Sequence, residues 1–304
     1  MMLNVLITGG LGYIGAHIIA EMINKSYKII ILDNLSNSNI SVYNHLQNLN
    51  IFDEKNLVFY HGDLLDTNTL INIFSGHKID IVIHNANLKS NIKSIIDPLK
   101  YYHNNISGTI YLLSIMKQFY CRTIIFTSSA CIYNNNKERT PYSNTKHIQE
   151  EILHDLYKSD NNWNIVIIRC FYPVSFRYDF LVSNIKDQDN LFFKLLYNKK
   201  KLILYNNFRD YIHIIDVAKS YIYICKYITK NKYKIGLKIY NLGSGNIIGL
   251  DKLINKFQIL NNTRVDVEFI KTNLNSTSYY ADINNLSRDT GWKLKYSLDD
   301  MLYT

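Results

Sequence analysis

Cysteine and proline are both scarce in this chain, which contains four cysteines and three prolines. The cysteines form no C-x-x-C pair and no zinc-type spacing, so we expect reduced thiols, no disulfide and no metal site. A basic leader with a cleavage site is missing, and no apolar run is as long as a membrane span. These absences favour a soluble, cytoplasmic protein.

Acidic residues are outnumbered by basic ones, and the formal net charge is +9. The densest basic run, residues 199–201, is not interleaved with aromatic residues, and the other lysines are scattered. The sequence therefore predicts a solvated, lysine-rich surface and no nucleic-acid partner. A length of 304 residues excludes a small scaffold that depends on disulfides for stability.

Short apolar runs alternate with stretches of helical spacing through the first half of the chain. The runs are NVLIT, KIIIL, LVFYHG, IDIVIHNA, RTIIFTSS and NIVIIRCF. This alternation predicts an α/β fold with a doubly wound parallel sheet over residues 1–172. A smaller, interleaved α/β substrate domain is expected over 173–304, with segments near 209–217 and 238–245 returning to the first domain.

A glycine-rich turn follows the first apolar run. Gly10, Gly12 and Gly15 fit G-x-G-x-x-G, and Gly9, Gly12 and Gly15 fit G-x-x-G-x-x-G. In such patterns glycine permits a tight turn and the approach of a pyrophosphate to the backbone. The amino terminus of the next helix attracts phosphates. Asp33 ends the second run about 20 residues later, where a carboxylate binds an adenosine ribose and disfavours a 2′-phosphate. The series predicts NAD as cofactor, although Asp33 alone would also suit a helix cap.

The stretch TPYSNTK places Tyr142 and Lys146 one helical turn apart, and Ser129 ends the fifth apolar run. Open α/β sheets bind ligands at that end of their strands. A nearby cation favours the phenolate, so Tyr142 could exchange a proton with a substrate hydroxyl that Ser129 orients. A Y-x-x-x-K pair also occurs by chance on helix surfaces, but the glycine turn and the strand-end serine favour catalysis.

At these motifs the chain resembles the extended short-chain dehydrogenases/reductases of the NAD-dependent epimerase/dehydratase family, and within them the UDP-glucose 4-epimerases. The resemblance rests on TGGLGYIG, LDNLSNS, VIHNANLKS, PLKYYHNNISGT, FTSSACIY, PYSNTK, RDYIH, YNLGSG and YYADI. It implies a Rossmann domain that binds NAD. It also implies an isomerase of galactose metabolism that inverts C4 of UDP-glucose or UDP-galactose through a 4-keto intermediate, and a homodimer joined through two helices.

Matched position by position, the resemblance implies the residues of each site. The cofactor set is Gly9, Gly12, Tyr13, Ile14, Gly15, Asp33, Asn34, Asn37, Ser38, Asp63, Leu64, Lys89, Asn105, Tyr142 and Lys146. The catalytic set is Ser129, Tyr142 and Lys146, with Tyr142 removing the proton of the sugar 4-hydroxyl. The substrate set is Asn190, Leu191, Arg209 and Tyr279. The bulk of Tyr279 implies a sugar without an N-acetyl group at C2, and Asp63 alone would also suit a turn.

Several positions on the substrate side depart from the family pattern. Asn87 stands where the family has glycine, and Tyr172 replaces an asparagine that helps to seat the diphosphate. Residues 272–278, TNLNSTS, lack the family's arginine. A diphosphate that is held by one arginine binds more weakly than a diphosphate that is held by two arginines. Arg177 or Lys271 could supply the second cation.

The residues that follow Ser129 distinguish an epimerase from related enzymes with other activities. Ala130 and Cys131 stand where nucleotide-sugar dehydratases carry an Asp-Glu pair, which disfavours dehydration. Cys131 matches a catalytic cysteine of GDP-fucose synthases, but it also suits a small packing residue. The departures leave two other functions open: a non-catalytic, NAD-binding relative of the epimerases, and an oxidoreductase of another nucleotide sugar.

Overall fold

The computed structural model of the protein describes residues 2–49, 56–134, 139–177, 195, 201–205, 207–270 and 279–303. In chain order its strands are β1 (Leu3–Thr8), β2 (Tyr27–Asp33), β3 (Leu57–His61), β4 (Ile81–His84), β5 (Thr123–Ser129), β6 (Asn164–Cys170), β7 (Tyr172–Val174), β8 (Leu202–Tyr205), β9 (Phe208–His213), β10 (Leu237–Leu242), β11 (Ile247–Gly249) and β12 (Val267–Ile270). The apolar runs of the sequence form β1 to β6.

The helices lie mainly between the strands of the first half. In chain order they are α1 (Tyr13–Met22), α2 (Ile40–Leu49), α3 (Thr67–Gly76), α4 (Asn91–Ile96), α5 (Pro98–Tyr102), α6 (Gly108–Gln118), α7 (Pro141–Ser159), α8 (Ile214–Lys230), α9 (Leu250–Leu260), α10 (Asn284–Thr290) and α11 (Leu298–Leu302). A π-helical turn, His103–Ser107, joins α5 to α6, and a 3-10 turn, Ala130–Tyr133, follows β5. A membrane span takes about 20 apolar residues, and no helix in the described ranges meets that requirement.

Seven parallel strands form the large sheet in the order β3-β2-β1-β4-β5-β6-β10. The chain builds outward from β1 through β2 and β3, and then returns to the other side of β1 with β4. The strand order therefore reverses between β1 and β4, and the carboxyl ends of these strands border the crevice in which such sheets bind ligands. The prediction of a doubly wound parallel sheet is confirmed.

Helices cover both faces of this sheet. Successive side chains of a strand point to opposite faces, so Val5 and Ile7 belong to one buried cluster and Leu6 belongs to the other. Helices α1 and α8 pack together on the first face, and α3, α6 and α7 supply the second cluster. Burial on both faces explains why the strands read as continuous apolar runs and do not alternate with polar residues.

The second half of the chain forms smaller sheets and also contributes to the large one. Strands β7, β9 and β11 make a three-stranded sheet, and β8 pairs with β12. Within residues 238–245, β10 pairs with β6 in the large sheet. Within 209–217, the strand belongs to the small sheet, whereas helix α8 begins at Ile214 and packs against α1.

Candidate active site

The turn between β1 and α1 brings backbone segments unusually close together. Gly9 has a φ of +64°, in the left-handed region that favours glycine, and a Cβ there would lie 2.7 Å from the Cα of Ala86. A Cβ on Gly15 would lie 2.4 Å from the carbonyl oxygen of Gly9. No side chain caps this end of α1, whose N-cap is Gly12. Its first-turn N–H groups and the helix dipole therefore favour an anion at the crevice.

Asp33 is buried at the end of β2. Its carboxylate forms hydrogen bonds both to the glycine turn and to the loop that follows β2. Its Oδ2 accepts a hydrogen bond from the Leu11 N–H at 2.9 Å. Its Oδ1 accepts from the Leu35 N–H and from the Ser38 hydroxyl, each at 2.9 Å. A carboxylate offers about four acceptor positions, so capacity remains for a ribose hydroxyl.

The other residues predicted for the cofactor lie along the same edge of the sheet. The Asn34 amide donates to the Asp63 carboxylate at 2.7 Å, which links the loops after β2 and β3. The Lys89 ammonium lies 5.9 Å from the centre of the Tyr13 ring at the start of α1. The segments after β1, β2 and β3 carry the remaining members: Ile14, Asn37 and Leu64.

Asn105 fixes the loop after β4 from inside the protein. It is fully buried in the π-helical turn, a feature that often marks functional sites within longer helices. Its Oδ1 accepts from the Leu88 N–H at 2.9 Å, and its Nδ2 donates to the Leu88 carbonyl at 3.0 Å. The same Nδ2 donates to Thr145 Oγ1 on α7 at 2.9 Å. The loop that carries Lys89 is thereby held against α7.

Ser129 ends β5, and Tyr142 is the second residue of α7, which packs against β5. Ser129 Oγ accepts from the Cys131 N–H at 3.3 Å, as the cap of the 3-10 turn. Pro141 at the first position of α7 and the capping side chain of Thr140 fix where the helix starts. The start of the helix in turn brings Tyr142 to the carboxyl end of β5.

Burial dominates the ionisation of Tyr142, which is half-buried. Burial raises the pKa of the phenol, negative charge on Cys131 would raise it further, and Ser129 opposes the increase. The sequence argument assigns the stabilisation of the phenolate to Lys146 and the oxidised nicotinamide together. In the protein alone, the cost of removing a phenolate from water exceeds the stabilisation that the neighbouring groups provide.

Lys146 is buried one helical turn after the tyrosine. Its Nζ donates to the Thr127 carbonyl at 2.7 Å and lies 4.6 Å from the centre of the Phe126 ring. Burial lowers the pKa of the ammonium to about 7, while Cys131 and Glu150 act in the opposite direction. The lysine is therefore fixed at the end of β5 and titrates near neutral pH.

The predicted substrate residues lie on the second half of the chain. Arg209 is in β9, and its guanidinium carbon lies 3.8 Å from the centre of the Tyr172 ring. The Tyr279 ring is 5.7 Å, centre to centre, from that of Tyr133, which belongs to the 3-10 turn after β5. The other substrate-side positions lie outside the described residues: Asn190, Leu191, Lys271 and 272–278.

Arg177, which could have supplied a second cation for the diphosphate, is paired elsewhere. Its Nη1 donates to Glu21 Oε1 at 2.8 Å and contacts the Ala20 carbonyl at 3.4 Å, near the end of α1. Both charged side chains are largely buried. This ion pair holds the segment after β7 against α1. The Arg177 guanidinium therefore has a structural role.

The arrangement of sheet, glycine turn and Ser-Tyr-Lys residues agrees with the comparison with known proteins. The model of the NAD dependent epimerase/dehydratase family matches residues 5–243. The chain belongs to this family. The resemblance read from the sequence motifs is therefore confirmed.

The epimerase/dehydratase relatives include several UDP-glucose 4-epimerases. That of Bacillus subtilis is 32% identical over 326 residues, which cover 98% of this chain and 94% of the relative. The crystal structure from Bifidobacterium longum, in complex with NAD+ and UDP, is 28% identical with a TM-score of 0.86, and covers 98% of this chain and 96% of that one. The structure from Stenotrophomonas maltophila, with bound NAD and formylated UDP-arabinopyranose, is also 28% identical, with a TM-score of 0.88 over 99% of this chain and 96% of that one.

The crevice of this family member has the features that a dinucleotide requires. The space beside Gly9 and Gly15 is filled by neighbouring backbone, so the tight turn before α1 requires glycine at both positions. At the end of β4, the buried Nδ2 of Asn85 and both amide atoms of Asn87 have no hydrogen-bond partner in the described protein. Buried polar groups are almost always paired, so these atoms fit a site that takes a polar ligand.

Sequence reasoning missed a buried network at the end of β5. The Arg169 guanidinium donates to Glu150 Oε2 at 2.7 Å, and the Ser128 hydroxyl donates to Glu150 Oε1. Arg169 Nη1 also donates to the Tyr133 hydroxyl at 3.0 Å. Two signals could have revealed it: Glu150 follows Lys146 by one helical turn, and Arg169 interrupts the apolar run NIVIIRC.

Asp210, the residue after Arg209, is a second anchor that the sequence analysis did not single out. Its buried carboxylate accepts from the N–H groups of Ser244 at 2.7 Å, Gly245 at 2.9 Å and Ala281 at 2.9 Å. These bonds hold the loop after β10 and the segment that follows Tyr279 against β9. Its position inside the motif RDYIH could have indicated a structural role.

Proposed function

We propose that this protein is an NAD-dependent epimerase that inverts C4 of a nucleotide sugar and interconverts UDP-glucose and UDP-galactose. The observation that carries the proposal is the position of Tyr142 and Lys146, one turn apart on α7, against the carboxyl end of β5, where Ser129 lies and where Lys146 Nζ donates to the Thr127 carbonyl. The UDP-glucose 4-epimerases among its relatives support the choice of reaction and of cofactor.

In this proposal the catalytic residues divide the proton chemistry between them. Tyr142 removes the proton from the sugar 4-hydroxyl, and it returns a proton to the 4-keto oxygen after the sugar has turned over in the site. Ser129 hydrogen-bonds the same oxygen and keeps it in line with the phenol. Bound NAD would supply the acceptor for the C4 hydride and the donor that returns it to the opposite face.

Lys146 has a positioning and electrostatic role in the same scheme. Because burial raises the pKa of Tyr142, proton removal requires positive charge beside the ring. Lys146, with a pKa of about 7, supplies part of that charge at neutral pH. The positive charge of an oxidised nicotinamide would supply the rest, and Tyr142 would then be a competent base. Lys146 also anchors the nicotinamide ribose.

The remaining site residues keep the roles that the resemblance implies. The glycine turn and the start of α1 hold the pyrophosphate, Asp33 binds the adenosine ribose, and Lys89 joins them around the cofactor. Arg209 binds the diphosphate of the substrate. Tyr279 borders the sugar and disfavours an N-acetyl group at C2.

A cytoplasmic homodimer is part of the same proposal. Leu99 on α5, Ile110 and Tyr111 on α6 and Ile148 on α7 are all exposed apolar side chains, and α5 packs against α7. A second copy would cover such a surface. A reducing compartment suits the four cysteines, which are free.

The test is conversion of UDP-galactose by the purified protein, with UDP-glucose measured by chromatography. We expect wild type to convert it and Tyr142→Phe to lose about 10²- to 10⁴-fold in rate, because the general base is removed. Tyr120→Phe is a matched control, because Tyr120 is an exposed tyrosine after α6. It should retain full activity.

The cofactor of the same samples is released by denaturation and quantified. Bound NAD without any conversion would contradict the epimerase proposal and favour the non-catalytic relative. NADH appearing in solution in proportion to sugar consumed would favour an oxidoreductase. Equal activity of wild type and Tyr142→Phe would remove the tyrosine from the chemistry.

A further inference from the structure

Arg209 is the partly buried arginine of the substrate side whose charge has no acidic partner among the described residues. Arg169 pairs with Glu150 and Arg177 pairs with Glu21, whereas no ion pair of the described chain includes Arg209. Its Nε donates to Asn207 at 3.0 Å, and its two terminal nitrogens meet no described acceptor. Burial lowers the pKa of its guanidinium, yet arginine remains charged in proteins. A charge in this state favours an anion as its partner.

The face of the Arg209 guanidinium lies against the ring of Tyr172. Arg209 and Tyr172 lie on adjacent strands, β9 and β7, and a separation of 3.8 Å between the guanidinium carbon and the ring centre is face-to-face stacking. Tyr211, the register partner of Tyr172, packs against the ring with centres 6.1 Å apart. The ring is therefore supported from within the sheet, while the side chain remains 40% exposed.

We propose that Tyr172 is a positioning residue that holds the Arg209 guanidinium flat, so that its terminal nitrogens face the diphosphate of a bound nucleotide. This inference rests on the proposed function. Tyr172 acts through Arg209 and does not itself bind the phosphates in this arrangement. An arginine that is already oriented loses less freedom when it forms two hydrogen bonds to phosphate oxygens.

The experiment is a calorimetric titration of the NAD-loaded protein with UDP, which reads affinity independently of turnover. We expect Tyr172→Leu to weaken UDP affinity by about 3- to 30-fold, the range of a cation–π contact, and Tyr172→Phe to bind as wild type does. In an Arg209→Gln background, Tyr172→Leu should have no further effect, because the guanidinium that it positions is gone. Thermal melting of each variant confirms folding.

Three results would overturn the positioning role. Tyr172→Leu could bind UDP as tightly as wild type; Tyr172→Phe could lose as much affinity as Tyr172→Leu; or the loss could persist undiminished in the Arg209→Gln background. A wild-type protein that retains NAD but binds no UDP would overturn the diphosphate ligand itself, and with it the proposed substrate. Failure of the inference and failure of the proposed function are therefore distinguished by the wild-type titration.

Discussion

His84 is an ionisable side chain that the large sheet keeps neutral. Its Nδ1 lies 2.7 Å from Thr8 Oγ1 and its Nε2 lies 2.9 Å from Thr109 Oγ1, inside the protein. Burial, with a smaller contribution from Lys146, lowers the pKa of the imidazole to about 3. The unfolded chain therefore takes up this proton near pH 6.5, well before the folded chain does.

We expect this histidine to make the free energy of unfolding decrease as the pH falls from about 6.5 toward 3, by about 1.4 kcal/mol per pH unit. Urea unfolding at a series of pH values measures the slope. His84→Gln removes the titrating group and should flatten the dependence, whereas His103→Gln, at an exposed position, should leave it unchanged. Identical slopes for wild type and His84→Gln would contradict the assignment.

The buried pair of Glu150 and Arg169 should be worth far more to stability than an exposed pair on the same helix. Glu150→Gln leaves the guanidinium buried without a full counter-charge, so we expect the free energy of unfolding to fall by about 3 to 5 kcal/mol. Asp155→Asn breaks the exposed pair with Lys158 and should cost less than about 1 kcal/mol. Chemical denaturation of both variants makes the comparison; similar losses would show that the buried pair has no special role.

At the scale of elements, the contact between the glycine turn and α1 leaves no space for a methyl group. In Gly15→Ala the new Cβ would meet the Gly9 carbonyl, so the helix start must shift; we expect a loss of about 1 to 3 kcal/mol in unfolding free energy and loss of bound NAD. In Gly76→Ala, at the end of α3, the nearest atom would be 3.7 Å away, and neither property should change. Cofactor content and thermal melting of the purified variants measure both. NAD retained in full by Gly15→Ala would contradict the role of the turn.

The elements that the sequence predicted best are those with a local signature. The apolar runs, the glycine turn and the Tyr142–Lys146 spacing each lie within a few consecutive residues, and strand, turn and helix formation depend mainly on such short stretches. The stacking of Tyr172 on Arg209 depends on β7 pairing with β9, which no local pattern encodes. The raised pKa of Tyr142 was missed for a related reason, because burial is a property of the whole packed site.

For the whole molecule, the exposed apolar surface of α5, α6 and α7 leads to a test of the proposed homodimer. Leu99, which is 79% exposed, lies on this surface, and a charge there would be buried without a partner in a dimer. We expect Leu99→Asp to weaken dimerisation by about tenfold or more, measured by sedimentation velocity over a range of concentrations. Ile259→Asp, at an 80% exposed position on α9, is the matched control and should leave the assembly unchanged. A monomeric wild type, or a dimer indifferent to Leu99→Asp, would contradict the proposal.

Strand β6 of the large sheet ends at Cys170, and strand β7 of the three-stranded sheet begins at Tyr172. The buried Phe171 is the one residue between these two strands. Tyr142 lies on α7 by the end of β5 in the large sheet, and Arg209 belongs to the small sheet. In the proposed function these residues bind opposite ends of one substrate, so the junction sets the length of molecule that can reach both. The enzyme then selects its substrate by the number of bonds between the phosphates and the reacting carbon, as well as by the groups that the sugar carries.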